Sequence, residues 1–198
     1  MEVELRADGT LHISGYVNVT GKASRPVYTA KGQKVVEVIE ERAFERALSR
    51  CKNVQMTKDH RKDCVLAETR ANTLTLVEDA IGLHASADIT DPETIEEARA
   101  GKIKGWSFGM KDISDSIEER ANALPLRRVS DFELDHITLV VNKTPVYAAT
   151  SVEMRADDEI LELECRAFED AMHVTDSRKQ YDNSDFRKRL EQIEKTEV

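Results

Sequence analysis

Residues 128–141 alternate along one long strand, with Phe132, Leu134, His136, Thr138 and Val140 on one parity and Glu133, Asp135, Ile137, Leu139 and Val141 on the other. Successive side chains of a strand point to opposite faces. A strand of this length cannot stand alone, because its backbone donors and acceptors need partners, so the chain must build a sheet around it. Partners are available throughout the sequence. Residues 2–6 and 11–20 flank the turn signal Ala7-Asp8-Gly9-Thr10 and predict a hairpin. Residues 20–32, with two glycines and Pro26, predict a loop, and 35–39 a strand. Residues 54–57 form a short alternating strand ending at Lys58-Asp59-His60, and 65–69, 73–79 and 82–89 predict an antiparallel meander.

Helical signals are few. Residues 40–49 place Phe44, Ala47 and Leu48 on one face with charges opposite. Thr90-Asp91-Pro92-Glu93 opens a second helix, with Thr90 or Asp91 as N-cap and Pro92 just inside, and Gly101 closes it as a C′ residue. Residues 114–124 are polar and predict a loop or short helix. Pro145 and Tyr147 close the compact part, which gives a domain over 1–153. From 154 to 198 the character changes to a helical tail: 157–172 is acidic and amphipathic through Ile160, Leu161, Leu163, Phe168 and Ala171, and 186–194 suits a final charged helix.

A net charge of −9 and a pI of about 5.2 argue against a nucleic-acid surface, which would ordinarily be basic. No apolar run approaches the ~20 residues of a membrane span, and the N-terminal residues lack the basic start and apolar stretch of a signal peptide. The three cysteines, Cys51, Cys64 and Cys165, form neither a CxxC pair nor a disulfide framework, and fit a reducing compartment. The five histidines are spread along the chain without ligand spacing, so no metal and no cofactor is expected.

Chemistry is concentrated in Lys102–Met110, Lys-Ile-Lys-Gly-Trp-Ser-Phe-Gly-Met. Ser107 lies between the only tryptophan and a phenylalanine, with Gly105 and Gly109 two residues to either side. Large apolar neighbours favour a strand, and glycines admit close approach of other backbone. The spacing is that of a Gly-x-Ser-x-Gly elbow, but that elbow leads from strand to helix in a parallel α/β sheet, and Lys111-Asp112-Ile113 continues the strand. The ordinary role of such a serine is structural. His60 ends a strand and opens a polar loop, which suits a general base and equally a solvated histidine. His136 shares its face with apolar residues; it is a satisfied core histidine or an orienter that bonds the base and fixes its tautomer. Asp135 competes for that role, but its parity assigns it to the opposite face. Backbone N–H groups near Phe108 and Gly109, or Arg127 and Arg128, are candidate oxyanion donors.

The order of these elements resembles the HK97-type prohead maturation proteases of tailed bacteriophages over about residues 10–150. The residues that carry it are the strand ending at His60, Ala80-Ile81-Gly82-Leu83-His84-Ala85, the helix ending at Ala100-Gly101, Gly105-Trp106-Ser107-Phe108-Gly109-Met110, and Leu134-Asp135-His136-Ile137-Thr138-Leu139-Val140. The resemblance implies an α+β fold like that of the herpesvirus assembly proteases, a mostly antiparallel β-barrel flanked by helices. It implies a serine endopeptidase with Ser107 as nucleophile and His60 as base. The family commonly carries Glu-x-Ser-Leu-Val in the later strand; aligning Ser-Leu-Val with Thr138-Leu139-Val140 puts His136 where that glutamate would be. The departure points to a Ser-His-His triad of the herpesvirus kind. The implied setting is the host cytoplasm, inside the assembling prohead, with capsid or scaffold protein as substrate and cleavage of the chain itself. Nucleic acid and membrane are not implied as partners, and a homo-oligomer is left open. The competing class is a non-catalytic capsid-assembly scaffold or interaction module with a protease-like barrel.

Overall fold

The computed structural model describes residues 1–29, 31–141 and 173–176. The amphipathic stretch expected over 157–172, the helix expected over 186–194 and the residues around Pro145 and Tyr147 lie outside the described residues.

Strands β1 (Glu2–Leu5) and β2 (Leu11–Val19) form the expected hairpin across 6–10, whose turn is closed by bonds from Arg6 N–H to Thr10 O and from Gly9 N–H to Arg6 O. The segment expected as loop contains a short strand, β3 (Pro26–Tyr28), paired with β4 (Lys34–Ile39). Helix α1 (Ala43–Arg50) buries Ala43, Phe44 and Ala47. Then come β5 (Gln55–Lys58), β6 (Arg61–Glu68), β7 (Leu74–Glu78) and β8 (Gly82–Ile89). Helix α2 (Pro92–Arg99) starts as its sequence requires: Asp91 is the N-cap, its carboxylate accepting from Thr94 N–H at 2.8 Å. Gly101, at φ 66°, ends it in the left-handed conformation that favours glycine. Strands β9 (Gly105–Glu118) and β10 (Leu126–Val140) complete the compact part, and β11 (His173–Asp176) pairs parallel with β1.

The described strands form two sheets, ordered β11-β1-β2-β8-β7 and β3-β4-β10-β5-β6, with β9 on β10. The fold is mostly antiparallel and of the α+β kind, with parallel pairs at β1–β11, β4–β10 and β5–β10. The sheets are not closed into a barrel. Strand β10 is the organising element. Strand β9 runs antiparallel along it from Gly105 to Glu118, while β4 and β5 take successive stretches of its length.

One apolar cluster draws on both sheets, with Leu11, Ile13, Leu83 and Ile89 from the first and Met56, Phe108, Phe132 and Ile137 from the second. Phe44 of α1 meets Phe108 and Phe132 edge-on, each at 5.1 Å between ring centroids. These contacts lock α1 onto β9 and β10 and hold the strand that carries Ser107. The second half of β9, expected as loop or short helix, is an exposed continuation of the strand. Cross-strand ion pairs support it there, Arg127 with Asp115 and Arg128 with Glu118. No helix among the described residues is long and apolar enough to cross a membrane.

Candidate active site

His60 does not sit in an open polar loop. Strands β5 and β6 are joined by two residues, Asp59 and His60, with Lys58 paired to Arg61. Both have positive φ, 51° and 59°, the signature of a type I′ hairpin turn. Such turns favour Gly, Asn or Asp at the first position and Gly at the second, so Asp59 suits the turn while His60 carries strain that surrounding bonds must offset. Those bonds come from β10 and its continuation. Asp59 N–H donates to Leu139 O at 2.9 Å, Asp59 Oδ1 accepts from Val141 N–H at 2.8 Å, and His60 N–H donates to Thr138 Oγ1 at 2.9 Å. Thr138 is fully buried and its hydroxyl also meets Thr57, as acceptor from Oγ1 and donor to the carbonyl, both at 3.0 Å. The backbone of His60 is thereby tied to the strand opposite Ser107, since Thr138 is the cross-strand neighbour of Ser107.

The side chains meet accordingly. His60 Nε2 lies 3.1 Å from Ser107 Oγ, and His60 Nδ1 lies 2.8 Å from His136 Nε2. The two rings stand nearly perpendicular, at 82° with centroids 5.1 Å apart. The structure therefore brings together the three residues singled out from sequence, Ser107, His60 and His136. An imidazole nitrogen at this distance can take the hydroxyl proton, and a second imidazole on its other nitrogen can orient it. Ser107 itself is fully buried, so a peptide reaches Oγ only if the groups around it part.

Asp135 departs from the parity reading. Between Leu134 and His136 the β9–β10 register shifts, with Leu134 opposite Met110 and His136 opposite Gly109, so Asp135 is an extra residue in β10. A bulge of this kind breaks the strict alternation of faces. The Asp135 carboxylate comes to its neighbour's ring, Oδ2 accepting from His136 Nδ1 at 2.9 Å. Lys111 Nζ pairs with Oδ1, and Lys62 Nζ lies 3.9 Å from Oδ2. Burial pushes the Asp135 carboxyl up, but the bonds from Lys111 and His136 outweigh it and hold the group below the ordinary 3.8. No residue-level signal in the sequence marks the bulge, so strict parity groups His136 with Phe132 and Leu134, whereas its pairing with Gly109 sets it on the Ser107–Thr138 side and leaves Phe132 and Leu134 with Ile137 and Leu139 in the core.

The arginines considered as oxyanion donors are elsewhere. Arg127 pairs across the sheet with Ile117, whereas Ser107 pairs with Thr138. At ~3.3 Å per residue the arginine lies roughly 35 Å along β10 from Thr138, the serine's neighbour. Its guanidinium is occupied by Glu37 and Asp115. Behind the site, Lys58 is buried and its ammonium meets Glu93 Oε2 at 2.8 Å and Glu97 Oε2 at 2.9 Å. Burial lowers the Lys58 pKa, but the two carboxylates more than reverse this, so the group is held above its ordinary value and stays charged. The pair of bonds clamps α2 to the end of β5, one residue before the turn that presents His60. His12 bonds Asp88 on the other sheet, and His84 packs edge-on against Tyr16; neither belongs to the site.

No curated protein matches the chain significantly. A family model does: residues 1–162 match that of the caudovirus prohead serine proteases. The match spans the whole Ser107–His60–His136 arrangement and extends past the boundary expected at residue 153, and the chain belongs to that family of phage prohead serine proteases.

Proposed function

We propose that this chain is the endopeptidase that cuts scaffold and capsid-protein segments, and its own polypeptide, within the assembling prohead. Ser107 is the nucleophile, His60 the general base and His136 the residue that orients and charge-stabilises His60. The observation that carries the reading is the continuous contact from Ser107 Oγ through His60 to His136, at 3.1 Å and 2.8 Å. Serine Oγ attacks the peptide carbonyl carbon as its proton passes to His60 Nε2. The tetrahedral intermediate collapses with cleavage of the C–N bond, and His60 returns the proton to the leaving amine. Water then attacks the acyl ester, again giving its proton to His60, and Ser107 is regenerated. Backbone N–H groups beside Ser107, at Phe108 and Gly109, are the donors this reading needs for the oxyanion. The segment from 154 to 198 is a self-cleaved or partner-binding tail, and the barrel-like architecture of the herpesvirus assembly proteases is the fold relative this function suggests.

Co-expression with the capsid or scaffold protein from the same phage, followed by mass spectrometry of new termini, tests the proposal. The intact chain cuts, Ser107→Ala does not, and His136→Ala cuts roughly a hundredfold or more slowly, in line with loss of an orienting partner. Processing by Ser107→Ala at the normal rate would remove the assignment. The complete burial of Ser107 favours one other reading, a non-catalytic assembly module built on a protease fold. A fluorophosphonate separates the two, because an inert serine is not labelled.

A further inference from the structure

We propose that Asp135 is the positioning residue that sets the proton order of the whole side-chain relay, fixing both histidines in the tautomer that leaves His60 Nε2 unprotonated toward Ser107. The inference rests on the serine-protease reading above. Two neutral imidazoles in contact have two equivalent proton orders. In one, His60 Nδ1–H donates to His136 Nε2, and His60 Nε2 faces Ser107 with a lone pair. In the other, His136 Nε2–H donates to His60 Nδ1, and His60 Nε2 carries a proton exactly where the serine proton must go. Nothing within the Ser107–His60–His136 set selects between them.

Asp135 does. An ionised carboxylate only accepts hydrogen bonds, so His136 Nδ1, at 2.9 Å from Oδ2, must carry hydrogen. Neutral His136 then has its lone pair at Nε2 and accepts from His60 Nδ1–H at 2.8 Å, which leaves His60 Nε2 as the acceptor for Ser107 O–H at 3.1 Å. The carboxylate is itself fixed from several directions. The β10 bulge turns it toward His136, Lys111 of β9 takes the other oxygen, and Lys62 of β6 approaches Oδ2 at 3.9 Å. The cavity beside Asp135 also presents Arg50, Lys52, Asp112, Asp131 and Glu133. Lys111 is the group in direct contact, so it dominates the field that keeps Asp135 ionised. When Ser107 attacks, its proton goes to His60 Nε2; the resulting imidazolium donates through Nδ1–H to His136, and Asp135 stabilises the charge without taking a proton.

The experiment uses the full chain with ¹⁵N-labelled histidine, read by imidazole NMR and by cleavage of the cognate capsid or scaffold protein. Expected in the unaltered chain is hydrogen on Nδ1 of both His60 and His136. Asp135→Asn and Asp135→Ala mix the tautomers and lower kcat by about tenfold to a hundredfold, as loss of an outer partner of a functional histidine does, with KM unchanged. Removing the negative charge also moves the acid limb of the rate profile to lower pH, whereas Lys111→Met moves it to higher pH. These opposed shifts would not arise from a merely structural role, and Lys111→Met keeps the test alive if the Asp135 variants fold poorly. Hydrogen on His136 Nε2 in the unaltered chain overturns the inference, as does an Asp135→Asn enzyme with normal tautomers, kcat and pH profile. In that second case Ser107-dependent cleavage leaves the protease reading standing. The expected tautomers in a chain that neither cleaves nor reacts with a fluorophosphonate support the proton order while removing the protease reading.

Discussion

His136 lies directly over the backbone of Gly109, its cross-strand neighbour. A Cβ added at Gly109 would stand 2.6 Å from His136 Cε1 and 2.9 Å from Nδ1. The ring is held at both nitrogens, so it has no free direction in which to yield. Gly109→Ala therefore displaces His136 and with it the Nδ1 contact of His60. Misplacement of a positioned group by ~1 Å costs about a hundredfold in rate. We expect kcat to fall by that order while circular dichroism stays unchanged, and Gly109→Ala cleaving at the normal rate would show that the ring has room. Ser107, His60 and His136 each admit a structural role in the sequence as readily as a catalytic one, and it is the family resemblance that groups them; strict parity misplaces His136 beside Phe132 and Leu134, whereas its pairing with Gly109 puts it on the Ser107–Thr138 side of the sheet. The use of Gly109 was legible only in part: the sequence shows that something approaches closely, not that the guest is an imidazole. Asp135 was illegible because alternation assumes an unbroken ladder, and the register shift between Leu134 and His136 breaks it.

The β5–β6 hairpin shows the same division between what a pattern can and cannot carry. The sequence expects its second strand in a meander with β7 and β8, but β6 starts at Arg61 and pairs with β5 in the other sheet; Lys58–Asp63 reads as an open loop because two non-glycine residues at positive φ are unfavourable in isolation. Only tertiary bonds make so tight a turn stable, and Asp59 supplies one of them through Oδ1 to Val141 N–H. Asp59→Ala loses that bond, worth about 1 kcal/mol, and also the relative tolerance of Asp for the left-handed region. The urea midpoint should fall by the equivalent of about 1–2 kcal/mol, and kcat should fall with it because His60 shares the turn. Asp59→Asn keeps both features and should behave like the unaltered chain; equal damage from Asn and Ala would show that charge, not turn geometry, matters at this position. The second half of β9 was missed for a different reason. Residues 114–118 are all exposed, so no apolar alternation marks them, and the strand there is defined by its pairing with β10. By contrast α2 was legible to within a residue at each end, because Asp91, Pro92 and Gly101 act within a few bonds of where they stand.

At the scale of the whole molecule, two sheets share one apolar core, and β10 passes from β4 to β5 along its length instead of closing a ring. The antiparallel character followed from turns and periodicity, but β3, in a segment that reads as loop, and β11, in a tail that reads as helical, exist only through pairing with β4 and β1; the division between sheets depends on which strands β10 recruits, which no local signal encodes. Surface and site carboxylates make this core sensitive to acid. Asp91 is lowered by its bond with Thr94, Asp131 by Arg50 and Asp79 by Tyr16, while for Asp135 burial opposes the shift and Lys111 and His136 prevail. A carboxyl whose folded pKa lies below its unfolded value contributes stability that is fully present above the unfolded pKa and is lost as pH falls through the folded one. With an ordinary value of 3.8 for these groups, stability should hold down to about pH 4 and decline below it. Cleavage depends on a neutral histidine, and imidazoles as a class protonate at higher pH than carboxyls. Activity should therefore disappear on acidification while the fold persists, and return on neutralisation. Parallel measurement of kcat and of the urea midpoint from pH 8 to about pH 3 checks this. Coincident loss of the two would mean that unfolding, not a change confined to the site, ends activity.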